Sequence, residues 1–123
     1  MMTRVLVVDD DYAIRDLVAR MLTVLGCWAV TAGNGLDAVD RFLAEPGRFH
    51  LVVTDLNMPV MDGHEAVRRI QKAQPCLPIV CMSGSDTARC PAGTRFLSKP
   101  FTLAELQECV HLALKIPPEL FAA

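Results

Sequence analysis

A three-layer α/β domain built on an open, parallel five-stranded sheet is the fold this chain predicts, and three observations carry it. Five short apolar runs alternate with segments of helical periodicity along the 123 residues. Runs such as Val5-Leu6-Val7-Val8 and Leu51-Val52-Val53-Thr54 are continuous rather than alternating, as in strands buried on both faces. An apolar content of 52% suffices to cover such a sheet from both sides. Strands separated by helices imply right-handed crossovers and therefore parallel pairing.

The elements follow in order. After the first strand, Ile14, Leu17, Val18, Met21, Leu22 and Leu25 recur at helical spacing, and Gly26 supplies a C-terminal stop. Trp28-Ala29-Val30-Thr31 reads as a second strand. Asn34 can cap a second helix over residues 36–45, ended by Pro46-Gly47. The third strand ends at Asp55. Asp62-Gly63-His64-Glu65 has the spacing of a capping box, opening a helix that runs to about Gln74. Pro78-Ile79-Val80-Cys81-Met82 is a fourth strand and residues 95–98 a fifth. Thr102-Leu103-Ala104-Glu105 is a second capping box, whose helix turns Leu103, Leu106, Val110 and Leu114 to one face before Pro117-Pro118.

The connection between the fourth and fifth strands is short. Residues 84–94 number eleven, close to the minimum for a parallel crossover, and include Gly84, Pro91 and Gly93. One or two helical turns around residues 86–90 are the most it can hold, at roughly 3.6 residues per turn. A shortened or missing fourth helix is the expectation, at the low-stability end of the domain.

Composition excludes several function classes. A net charge of -2 provides no electrostatic footprint for nucleic acid or an anionic membrane. No stretch approaches the roughly 20 apolar residues of a membrane span, and no signal peptide is expected. Five cysteines without a Cys-x-x-Cys pair fit reduced thiols in the cytoplasm, with Cys90 the one expected to be exposed. His50, His64 and His111 show no metal-ligand spacing.

In open parallel sheets, ligands bind beyond the carboxyl ends of the strands, where the strand order switches. Asp9-Asp10-Asp11, Asp55, Ser83 and Lys99 all fall at such ends, on strands one, three, four and five. Clustered carboxylates repel unless a cation or a proton sits among them. Hard oxygen ligands suit Mg²⁺, which keeps several waters and accepts one or two carboxylates plus a phosphate. A carboxylate can itself accept a phosphoryl group, with a fixed ammonium neutralising charge on the far side. Taken singly, each feature has a plainer reading: a helix cap for Asp11, a turn at Asp55 and Ser83, a solvated loop at Lys99-Pro100. Their convergence on one sheet edge favours phosphoryl chemistry.

Val7-Val8-Asp9-Asp10-Asp11, the stretch from Thr54-Asp55-Leu56-Asn57-Met58-Pro59 to Met61-Asp62-Gly63, and Phe96-Leu97-Ser98-Lys99-Pro100-Phe101 resemble, in order and spacing, the three motifs of two-component response regulator receiver domains. The resemblance implies a flavodoxin-like sheet of order 2-1-3-4-5 and one domain over residues 1–123, with its core at about 3–116 and a tail at 117–123. It implies phosphorylation of Asp55 by a sensor histidine kinase or histidine phosphotransfer protein. It further implies direct Mg²⁺ ligation by Asp10, Asp55 and the Asn57 backbone carbonyl, with Asp9 acting through water. Ser83 and Phe96 would be the switch residues and Lys99 the phosphate-binding lysine. Phe96 stands where many members carry Tyr, and the short crossover looks most like receivers of hybrid sensor kinases. A downstream protein target is expected, with neither nucleic-acid contact nor membrane insertion.

Two other functions compete. A Mg²⁺-dependent phosphohydrolase of the haloacid dehalogenase type also uses a strand-end Asp, but Ala13 stands where that family expects Thr, and no cap domain fits. A receiver-like scaffold that never takes phosphate usually lacks an acidic residue or the lysine, and neither is missing here.

Overall fold

The computed structural model describes residues 2–84 and 90–115. Five parallel strands, β1 (Arg4–Val8), β2 (Trp28–Ala32), β3 (Leu51–Asp55), β4 (Ile79–Ser83) and β5 (Arg95–Ser98), form one sheet of order β2-β1-β3-β4-β5. Four helices, α1 (Tyr12–Val24), α2 (Gly35–Ala44), α3 (Gly63–Ala73) and α4 (Leu103–Lys115), complete the described residues. The strand order is the expected one. No helix lies between β4 and β5 among the described residues; most of the turn expected over 86–90 falls outside them.

Side-chain alternation along the buried strands divides the core in two. Leu6, Val8, Val52, Ile79 and Cys81 meet Phe42 of α2 and Ala66 and Ile70 of α3 on one face. Val5, Val7, Leu51, Val53, Val80 and Met82 meet Val18 and Leu22 of α1 and Leu106 and Val110 of α4 on the other. At roughly 1.5–3 kcal/mol for each large apolar side chain buried, these two layers dominate stability.

Local expectations fare unevenly. Asp11 caps α1, accepting from the Ala13 and Ile14 amides, and Thr102 and Glu105 make both bonds of a capping box at α4. Asp62 accepts from the Glu65 amide at 2.9 Å, yet the Glu65 carboxylate pairs with Arg68 and Arg69 instead of turning back, because both guanidiniums lie within one turn. On α4 the buried stripe is Leu106, Cys109, Val110 and Ala113, whereas Leu103 and Leu114 are exposed. The small Cys109 and Ala113 let that helix sit close to the sheet; the two leucines lie at its ends. All five cysteines are free, but Cys76 is the exposed one, while Cys90 packs against the α2/α3 layer. That end of the crossover is tied to α3 by a Gln71 side-chain bond to the Ala92 carbonyl, 2.9 Å.

Candidate functional site

Parallel strands bring all five carboxyl ends to one edge, and the order switches between β1 and β3. Asp9, just past β1, and Asp55, at the end of β3, therefore face each other across the crevice. Carboxylate oxygens of Asp9, Asp10 and Asp55 lie within 4.8 Å of one another. Asp9 is fully buried, Asp55 is 6% exposed and Asp10 is open to solvent.

Lys99 leaves the end of β5, with its own amide bonded to the Ser83 carbonyl at 2.8 Å. Its ammonium contacts Asp9 Oδ2 at 2.7 Å and Asp55 Oδ1 at 3.6 Å. The other Asp9 oxygen accepts from the Asp11 amide at 2.9 Å. Asp55 Oδ1 also receives a long 3.4 Å bond from the Asn57 amide. Ser83 is completely buried at the end of β4, beside Ser98 in register. Phe96 does not join this group: the residue is 39% exposed on β5, on the opposite side from buried Leu97.

The loop after Asp55 returns through a close approach. The Gly63 amide donates to the Leu56 carbonyl at 3.0 Å, and a Cβ on Gly63 would come within 2.2 Å of the Asp55 carbonyl oxygen. Arg15, which the motifs do not flag, reaches back from the first turn of α1 to donate to the Asp9 carbonyl at 2.9 Å. Its place four residues beyond the Asp11 cap is the one signal that could have drawn attention to it.

Burial pushes the Asp55 carboxyl above the usual carboxylate range, and repulsion from Asp9 and Asp10 adds to this. Lys99 and the Asn57 amide pull the other way without cancelling it. The folded state thus holds the Asp55 proton to higher pH than the unfolded chain. Stability falls as pH rises through that interval, and the penalty is complete above it. Asp55→Asn is expected to be more stable than the native chain at pH 7, because it removes the buried charge. The gain should vanish below about pH 4, where an unfolded Asp is protonated. Urea unfolding at both pH values checks this; an equal gain at both would assign the effect to packing rather than charge.

The donor set fits a hard divalent cation. It is all oxygen, it carries three negative charges against one ammonium, and its exposed member, Asp10, opens to water as Mg²⁺ prefers.

The chain belongs to the response regulator receiver domain family, which it matches over residues 5–111. Members are signalling domains of two-component systems rather than classical enzymes. The chain is 36% identical over 119 residues to the transcription factor SKN7 of Chaetomium thermophilum, covering 89% of this chain and 15% of that protein. It is 34% identical over 111 residues to the response regulator receiver protein CpdR of Brucella abortus, covering 85% of this chain and 91% of CpdR. The response regulator TrrA of Thermotoga maritima, solved with Mg²⁺ and BeF, superposes with a TM-score of 0.83 at 31% identity, covering 92% of this chain and 100% of that one. The chain therefore spans most of CpdR but a small fraction of SKN7. The phosphohydrolase alternative is not favoured by these relatives. Among the described residues, no helix is long and apolar enough to cross a membrane.

Proposed function

We propose that this chain is a phosphorelay receiver, in which Asp55 accepts a phosphoryl group from a phosphohistidine on a sensor kinase or phosphotransfer protein. The observation that carries it is the convergence of three carboxylates within 4.8 Å around an ammonium 2.7 Å from Asp9 and 3.6 Å from Asp55. An Asp55 carboxylate oxygen forms the new P–O bond as the P–N bond of the donor breaks, and the departing imidazole nitrogen takes up a proton. Mg²⁺, held by Asp10, Asp55 and the Asn57 carbonyl with Asp9 acting through water, would offset charge on the phosphoryl oxygens. Lys99 then exchanges its Asp9 partner for a phosphoryl oxygen, and the Ser83 hydroxyl turns toward another. Phe96 responds to the displacement of Ser83. Such a switch shifts an existing equilibrium rather than creating a new fold.

An apolar cleft of about 230 Å³ supports docking of the phosphodonor beside the acceptor. Ile14, Leu17 and Met21 of α1 face Pro100 and Phe101 across it, and Lys99 lies at its wall. Leu17 is half exposed there, as an anchor for a partner helix needs to be. The five free thiols fit a cytoplasmic setting.

The test is intact-mass measurement after incubation with acetyl phosphate. One added phosphoryl group is expected with Mg²⁺ and none with EDTA; a mass unchanged in both conditions would overturn the reading. The metal ligands separate in the same way. Asp10→Ala is expected to weaken Mg²⁺ binding by roughly tenfold or more. Asp11→Ala should leave it nearly intact and cost about 1 kcal/mol of stability for the lost cap. Calorimetric titration and urea unfolding of both variants check this, and equal losses of Mg²⁺ affinity would mean that the wrong carboxylate has been assigned.

A further inference from the structure

We infer that Arg15 is a positioning residue for the acidic site, fixing the peptide plane that aims Asp10. This rests on the receiver reading above but concerns a residue that the motifs leave out.

Asp9 is held from four directions. Lys99 Nζ and the Asp11 amide take its two carboxylate oxygens, its own amide donates to the Ala32 carbonyl at 3.3 Å, and Arg15 Nη1 donates to its carbonyl at 2.9 Å. That last carbonyl belongs to the peptide joining Asp9 to Asp10. Its rotation swings the Asp10 Cα, and with it the exposed carboxylate assigned to direct metal contact. Lys99 and the Asp11 amide grip the Asp9 side chain, which leaves Arg15, among the described residues, as the side chain acting on that peptide itself.

The guanidinium is itself constrained. It lies 5.2 Å from the Tyr12 ring centroid, a cation–π contact from the same helical turn. A Cβ at Gly33 would come within 3.3 Å of Nη1, so the bare glycine backbone of the β2–α2 loop gives the guanidinium its room. Arg15 thus ties α1 to the β1–α1 loop through one carbonyl, in the room left by Gly33. A planar donor at a set angle is something lysine cannot reproduce.

Charge and positioning make opposite predictions. A cation on the Asp9 carbonyl adds positive charge beside the acidic site and opposes Mg²⁺, so removing the charge alone would tighten metal binding. Losing the positioning would weaken it. Arg15→Lys keeps the charge and loses the planar donor, and Arg15→Ala loses both.

Mg²⁺ titration followed by amide chemical shifts, together with backbone order parameters, tests the assignment. Both variants are expected to bind Mg²⁺ roughly tenfold more weakly, the scale for residues that orient ligands. Asp10 should become more mobile while Val53, within β3, does not change. Native affinity in Arg15→Lys, tighter binding in Arg15→Ala, or loosening spread through β1 and β3 would each overturn the assignment. A native chain that binds no Mg²⁺ at all would instead overturn the receiver reading beneath it.

Discussion

Asp55→Asn is expected to abolish phosphorylation outright, leaving the intact mass unchanged after acetyl phosphate and Mg²⁺. The other carboxylates at this edge are otherwise committed. Both Asp9 oxygens are engaged, by Lys99 and the Asp11 amide, and Asp11 is engaged with the first turn of α1. Asp10 is the remaining rival, but it is exposed to solvent and is assigned to the metal. Asp55 is buried like Asp9 but less tightly engaged, with Lys99 3.6 Å away rather than 2.7 Å and able to follow a developing negative charge. Asparagine preserves the shape and removes the nucleophilic oxygen. A phosphoryl group that persists in the variant would move the acceptor to Asp10. The urea unfolding of the same variant separates loss of the acceptor from loss of the fold.

Gly63→Ala is expected to be the most damaging single methyl in the loop. The added Cβ would lie 2.2 Å from the Asp55 carbonyl oxygen and 2.6 Å from the Leu56 Cα. Both are backbone atoms, one at the end of the central strand β3 and one just past it, so neither can give way as a flexible side chain would. Overpacking commonly costs about 1–3 kcal/mol, and a clash with backbone belongs at the top of that range. The melting midpoint should fall by roughly 10 °C or more. Relief comes only if α3 withdraws from β3, which also displaces the loop carrying Asn57 and disturbs the proposed phosphoacceptor site. Thermal unfolding and the acetyl phosphate assay measure the two effects. A variant melting within a degree or two of the native chain would mean that the Asp62-Gly63 turn adjusts freely and that this approach is not required.

Much of the site is legible in the sequence, because its residues are attached to strand ends. Continuous apolar runs report burial on both faces, crossover handedness makes the strands parallel, and parallel strands deliver their carboxyl ends to one edge. Asp9, Asp10, Asp55, Ser83 and Lys99 therefore gather for reasons visible in the order of runs and helices, and the Asp11, Asn34 and Thr102 caps follow from local bonding rules. Other choices belonged to the tertiary structure, because each depends on which of several competing partners comes within reach. Lys99 could pair with either buried carboxylate, and packing places it nearer Asp9 than Asp55. Glu65 could close a capping box or pair with arginines one turn on, and it takes the arginines. Cys109 and Ala113, rather than Leu103 and Leu114, complete the buried stripe of α4, since fit against the sheet outweighs hydrophobicity alone. Arg15 finds the Asp9 carbonyl only once β1, α1 and the β2–α2 loop are folded around it. Periodicity and chain order determine where a residue's backbone goes; the bonds its side chain makes are settled by distances of a few ångström between segments remote in the chain.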